Sequence, residues 1–275
     1  MSKGVNKISI PRTIIVLILA LITIFPIVWV VLSSFKPQSE LFSSPMSFLP
    51  RTWTLENYEE ALGRGNFLTY FKNSLFVSIM STIICVAINT MAGYALAKFA
   101  FPGKKATFSV MLATLMVPLQ VIMIPIFLQL KRFGLLNNLW GIIIPPAATP
   151  TGVFLAKQYM TTLPDSLIEA ARIDGAGEGF IFRKIILPMS KPIIATIAIF
   201  SFMWRWNDYL WPLIVITKSK YQTIQQSLAT FVGQLQINWS NLLAMTTISI
   251  IPVIVVFLCF QRFFMQGVTA GAVKG

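Results

Sequence analysis

The chain has 275 residues, 56% of them apolar and only 11% charged. A soluble domain carries about 25% charged residues. Twenty-two basic and nine acidic side chains cannot clothe a soluble body of this size, which excludes disorder, collagen, a disulfide scaffold and an ordinary cytosolic enzyme and leaves lipid as the solvent.

The gaps between charges mark the elements. A helix needs about 20 residues to cross the hydrocarbon. Uncharged or nearly uncharged runs predict six spans, at 13–34, 74–98, 107–130, 139–160, 192–216 and 242–262. The first follows the basic residues Lys3, Lys7 and Arg12, as in a signal peptide. Its apolar stretch is longer than an h-region of about 7–15 residues, so it is expected to be a retained helix. The loop 35–73 carries Trp53, Tyr58 and Phe67 among prolines and glycines and reads as ordered. Prolines fall inside spans at 26, 118, 125, 145, 146, 150, 212 and 252. Each removes a backbone donor, which points to bent helices packed around a pathway. The organisation expected is an N-terminal tail, first helix and outer loop over 1–73, a five-helix core over 74–265 with a loop at 161–191, and a tail over 266–275.

Six spans put both termini on one side. Thirteen basic residues fall on that side and eight on the other, and the positive-inside rule makes it the cytoplasm. The net charge of +13 therefore reads as topology and attraction to anionic lipid, with no nucleic acid implied. There is no histidine, which removes the commonest general base and transition-metal ligand. Cys85 and Cys259 lie in apolar runs, form no CxxC pair and read as small buried hydrophobes.

The loop between the fourth and fifth spans reads LPDSLIEAARIDGAGEGFIFRKIILPMSKP. Pro164, Asp165 and Ser166 start a helix, with an acid at the positive end of its dipole. Leu167, Ile168, Ala171 and Ile173 make an apolar stripe, and Gly175 stops the helix. A second short amphipathic helix sets Phe180, Ile181, Ile185 and Leu187 against Glu178, Arg183 and Lys184, and Pro188 ends it. By physics alone this elbow is either a docking platform or an amphipathic segment lying among lipid headgroups.

The same stretch resembles the EAA signature of permease subunits of ABC importers: Glu169, Ala170 and Ala171, then Gly175, then Ile185, Leu187 and Pro188, each at the family's spacing. The wider chain, through AGYALAKFAFPGK (92–104), GLLNNLWGIIIPP (134–146), WNDYLWPL (206–213) and QGVTAGAVKG (266–275), is similar to the second, shorter permease of maltose-type carbohydrate importers. The resemblance implies an all-α type I importer permease in a prokaryotic cell membrane. It implies a second permease as heterodimer partner, two cytoplasmic ATPase subunits, and an extracellular or periplasmic sugar-binding protein. It also implies that the elbow docks on an ATPase, with Glu169 and Gly175 critical and Arg172 and Asp174 beside them. ATP and magnesium would be bound by the partner, and no cofactor by this chain.

Nothing matches GxxxxGK[ST], and Gly175, Gly177 and Gly179 follow a helix with no Lys-Ser/Thr after them. The chain is therefore expected not to hydrolyse ATP. Apart from Lys98, Lys157 and Arg262 near span ends, Arg205 and Asp208 are the only charges inside a span. At i and i+3 they can neutralise each other. Alternatively that face meets a pathway, where Trp204, Asn207, Asp208 and Tyr209 suit a sugar: rings pack on C–H faces and amides bond hydroxyls. Trp206 and Trp211 flank the pair, Trp211 also fitting an interfacial aromatic girdle. Asn89 and Tyr94, and Gln120 and Gln129, are weaker pathway candidates. An ion-coupled secondary transporter would want titratable groups at the midplane and repeated halves. A membrane enzyme has no constellation to build on.

Overall fold

The computed structural model describes residues 10–63, 66–232 and 237–272. The expectations attached to Lys3, Lys7, Arg64, Lys274 and the end of the 266–275 tail lie outside the described residues.

Every regular element among the described residues is helical. The first, α1 (Ile10–Ser33), runs through Pro26 and leaves Ile14, Leu17, Leu21 and Phe25 exposed, as a helix bathed in lipid requires. Two short helices follow, α2 (Gln38–Leu41) and α3 (Glu56–Gly63). Then α4 (Phe67–Lys98) extends for 32 residues, about 48 Å at 1.5 Å per residue. Next, α5 (Lys104–Ala113) and α6 (Leu119–Arg132) are separated by a 3₁₀ turn and Pro118 and are bent by 104°. Gly134, at φ 68°, lets the amide of Leu135 return to the carbonyl of Leu130 at 2.9 Å and closes α6.

After α7 (Trp140–Ile143), Pro145 and Pro146 break the chain before α8 (Pro150–Thr161). The hydroxyl of Thr149 caps α8 by accepting from the amide of Gly152, with Pro150 in the first turn. The next helices are α9 (Asp165–Ile173), α10 (Glu178–Ile181) and α11 (Leu187–Met189), the last two joined by a π turn at Phe182–Ile186. The run Glu178–Met189 bends by 80° into α12 (Lys191–Trp206). The described chain ends with α13 (Leu210–Val215), α14 (Ile224–Val232) and α15 (Trp239–Ala272).

Among the described residues, three helical stretches, Thr13–Ser33, Phe67–Lys98 and Trp239–Arg262, are each long and apolar enough to cross a membrane, and up to five if each bent pair is one span. The expected span 107–130 is a bent pair, and 192–216 is interrupted at 207–209. The expected span 139–160 is not one helix, because Pro145, Pro146 and Pro150 divide it and leave α8 at 12 residues, or about 18 Å.

The chain forms two units. In the unit built from the described residues of 1–67 and 228–251, polar fastenings order the loop after α1. Glu40 accepts from the amides of Arg51 at 2.7 Å and Thr52 at 3.2 Å. The Arg51 bond above all holds its carboxyl below the usual range. Asn57 donates to the carbonyls of Ser34 and Lys36, both at 2.8 Å. Trp239 packs edge-on against Phe42.

In the unit built from the described residues of 68–227 and 252–275, a hydrophobic core gathers Val77, Met123, Ile142, Ile143, Trp211 and Val215. Lys157 stands 3.7 Å over the ring of Phe108, which stacks on Phe154. Asn137, at φ 54°, accepts from the amides of Thr217 and Lys218 at 2.7 Å each. That bond joins the stretch before α7 to the end of α13. The two cysteines part company: Cys85 is buried as expected, whereas Cys259 is exposed on the apolar outer surface of α15.

Candidate functional site

The elbow at 163–190 is held by its charges. Asp165, in the first turn of α9, accepts from the Lys98 ammonium at 2.6 Å, and the same ammonium reaches the carbonyl of Leu163 at 2.6 Å. At the other end of α9, the amide of Gly175 returns to Arg172 at 3.0 Å and that of Ala176 to Ala171 at 2.9 Å. This is a Schellman closure, and it needs the left-handed backbone that Gly175 adopts at φ 80°. The stop expected at Gly175 is therefore built as read.

The expected stripe splits. Ile168 is buried and Ala171 half-buried, but Leu167 and Ile173 face outward, 44% and 86% exposed. Glu169, Ala170, Asp174 and Gly175 are exposed beside them. The second half also differs from the expected face. Ile181 and Ile186 are fully buried with Tyr94, Met160 and Ile168, while Ile185 and Leu187 are half-buried and Phe180 and Pro188 exposed. The cause is the π turn at Phe182–Ile186. Its i→i+5 bonding puts residues five apart, Ile181 and Ile186, on one face.

Glu178 ties the elbow together. Its carboxylate accepts from Arg172 Nε at 2.7 Å and from the Tyr94 hydroxyl at 3.0 Å. The Arg172 bond lowers the carboxyl's pKa and raises that of the guanidinium. Tyr94 is thus a fastening between α4 and the elbow. In the sequence Glu178 reads as the polar face of an amphipathic helix and as one of four clustered acids expected to meet the partner ATPase. The one available signal was a concentration of acids at 165, 169, 174 and 178.

The second candidate region is the interruption between α12 and α13. Arg205 Nη1 donates to Asp208 Oδ2 at 3.3 Å, with the side chains only 15% and 18% exposed. Asp208 Oδ1 also accepts from the amide of Trp211 at 3.3 Å, so it caps α13. Trp206 and Trp211 do not join a ligand-facing group. Trp206 is 1% exposed between Phe71 and Phe202, and Trp211 is 5% exposed and donates from Nε1 to the Gly141 carbonyl at 3.2 Å. Burial of Trp211 also removes it from an interfacial girdle. Trp204 and Tyr209 are exposed, as is Asn207, whose amide bonds back to the Met203 carbonyl.

Asn89 is fully buried. Its oxygen accepts from the amide of Thr149 at 3.0 Å, and its nitrogen donates to Cys85. It fastens α4 to the start of α8, and a Cβ on Gly152 would stand 2.8 Å from its nitrogen. Beside this fastening lies an open cavity of about 120 Å³ whose wall includes Cys85, Thr149, Thr151, Ser201, Trp204 and Arg205.

Bent apolar helices around a charge-fastened elbow narrow the families that fit. Residues 89–270 match the family of binding-protein-dependent transport system inner membrane components. The chain belongs to that family.

This permease chain is 36% identical over 260 residues to the arabinooligosaccharides transport system permease protein AraQ of Halalkalibacterium halodurans, covering 94% of this chain and 93% of the relative. It is also 36% identical over 259 residues to the diacetylchitobiose uptake system permease protein NgcG of Streptomyces coelicolor, covering 93% and 85% of the two chains. Among solved structures, a chain of a bacterial ABC transporter involved in import of the acidic polysaccharide alginate superposes with a TM-score of 0.84 at 26% identity, covering 96% of this chain and 99% of that one. The fold is that of a type I ABC permease, and the chain is a non-catalytic membrane component.

Proposed function

We propose that this permease moves a sugar or oligosaccharide into a prokaryotic cell by alternating access. It crosses the cell membrane six times with both termini in the cytoplasm, each bent or divided segment counting as one crossing. A second permease completes a heterodimer. A sugar-binding protein delivers cargo from outside, and two cytoplasmic ATPases, which bind the ATP and magnesium, drive the cycle. The working parts are the outer loop with the first helix (1–73), the permease core (74–265) with its coupling loop (161–191), and the tail (266–275).

The single observation that carries this reading is the elbow's division of labour. Lys98, Tyr94, Asp165 and Glu178 lock it to the end of α4, while Glu169, Ala170, Leu167, Ile173, Asp174 and Gly175 stay exposed. A rigid fastening on one side and a free face on the other suit a lever between a motor and membrane helices. Glu169, Ala170, Ala171 and Gly175 are the docking centre; Arg172 and Asp174 flank it; Leu187 and Pro188 carry the motion towards α12. The substrate pathway runs past Trp204, Asn207, Asp208 and Tyr209, with Asn89 shaping its wall through Thr149. The neutral sugars in the names of the two relatives favour a carbohydrate cargo.

The test is purification of the permease with its partner subunits and binding protein. ATP hydrolysis should rise when a sugar-loaded binding protein is added, and sugar should enter proteoliposomes. Absence of stimulation and of uptake across a panel of sugars would refute the reading.

A further inference from the structure

We propose that the cavity between the start of α8 and the end of α12 is a subsite for one ring of a neutral sugar. The proposal rests on the transport reading above and adds where the cargo is held and which charge class it has.

The wall is built from two sides. Thr149, Thr151 and Gly152 come from the capped start of α8, and Ser201, Trp204 and Arg205 from one face of α12. Gly152 is needed there, because a Cβ would stand 2.6 Å from Thr149 Oγ1. Trp204 is 52% exposed, so its indole is free to cover the C–H face of a sugar ring. A guanidinium has five N–H donors. Among the described residues, Arg205 has one hydrogen-bond partner, Asp208, through a single contact at 3.3 Å. Its remaining donors are held in a partly buried position, where ligand hydroxyls can satisfy them.

Charge decides the class of ligand. Among the described residues, Arg205 is the only charged one on the cavity wall, and its charge is already matched by Asp208. A carboxylate or phosphate entering here would lose its hydration and gain no uncompensated cation. A neutral ring would instead meet guanidinium donors, two threonine hydroxyls and an aromatic face. At about 120 Å³ the cavity is well below the roughly 300–1,000 Å³ of a complete ligand pocket. It therefore holds one ring while the rest of an oligosaccharide lies outside it.

The cavity carries its own reporter, since Cys85 is part of its wall. In the assembled complex in nanodiscs, with Cys259→Ser in this chain, a small methanethiosulfonate reagent should modify Cys85, read by mass spectrometry of the Cys85 peptide. A neutral trisaccharide that the importer takes up (arabinotriose and maltotriose being the first probes) should slow that modification about tenfold at ten times its dissociation constant. Trigalacturonate should not slow it. Trp204→Ala should remove the protection, measured as the ratio of its own modification rates with and without sugar, because losing the indole also alters the unprotected rate.

Protection by the neutral sugar alone, lost in Trp204→Ala, supports the subsite. No protection by a sugar that is demonstrably transported overturns it and leaves the transport reading intact. Equal protection by trigalacturonate overturns the charge selection. A Cys85 that never reacts in the free complex also overturns the proposal, since the cavity would then be closed to a small molecule. A complex that takes up no sugar refutes the transport reading itself.

Discussion

Two of the permease's arginine–carboxylate fastenings look alike on paper and differ physically. Arg172–Glu178 in the elbow closes at 2.7 Å with side chains 42% and 44% exposed. Arg205–Asp208 at the helix interruption closes at 3.3 Å with side chains 15% and 18% exposed. The shorter, better bond is the weaker one to lose. Water screens it, and exposed pairs contribute about 0–1 kcal/mol. The longer bond sits where a stranded charge has no water to fall back on, and breaking a buried pair costs about 3–5 kcal/mol. Distance alone therefore misranks the two regions. The elbow's charges fix its position, and the pair at the interruption supplies neutrality.

Three substitutions break or sharpen that contrast. The largest effect is expected at Glu169→Lys, on the exposed face of the elbow. Uptake should fall by at least about a hundredfold, the size of a few kcal/mol of lost coupling, while the amount of permease in the membrane stays at the wild-type level. Retained uptake would remove the elbow from the drive train.

Next comes Asp208→Ala. By stranding Arg205 it should lower the yield of assembled complex severely. Arg205→Ala/Asp208→Ala should be milder than the single change, because it removes both charges. Equal yields from size-exclusion chromatography would show that the pair does not act by neutralisation.

The smallest effect is expected at Glu178→Gln. The folded carboxyl titrates below its unfolded value, chiefly through the Arg172 bond. Its stabilisation is therefore fully present above the unfolded pKa of about 4.3 and is lost as pH falls through the lower, folded value. Gln keeps one oxygen for Arg172 and sets an N–H donor against the Tyr94 hydroxyl, which can turn to accept, so the difference at pH 7 should be small. It should vanish in acid. Thermal unfolding of the two complexes across pH checks this, and a gap that persists in acid would mean that packing, not charge, holds the elbow.

Several features were legible in the chain because they depend on single residues. Gly175 marks a helix stop wherever it closes a short acidic helix, and the backbone takes the left-handed turn there. The charge gaps located α1, α4 and α15 to within a turn or so at most ends. What was not legible depends on partners distant in sequence. Asn89 reads as a polar group in a span, and only the fold brings Thr149 to both ends of its amide. Trp211 reads as an interfacial ring until Gly141 arrives to accept its N–H. The 139–160 run has the composition of a span, but three prolines remove backbone donors that a single helix would need. In the second half of the elbow the buried face was missed by one position, because periodicity arguments assume 3.6 residues per turn and nothing in FRKII announces a wider one.

That wider turn has a consequence for how the permease can vary. One surplus residue at 182–186 sets the phase of everything that follows. Removing it would restore an ordinary helix and rotate the next segment by about 100° relative to α9. Ile186 would leave the core, and the face of α12 that carries Trp204 and Arg205 would turn away from the start of α8. In this stretch the number of residues should matter more to the packing than their identity. Substituting Arg183 or Lys184, both exposed, should leave that phase unchanged, whereas deleting a single residue should shift it.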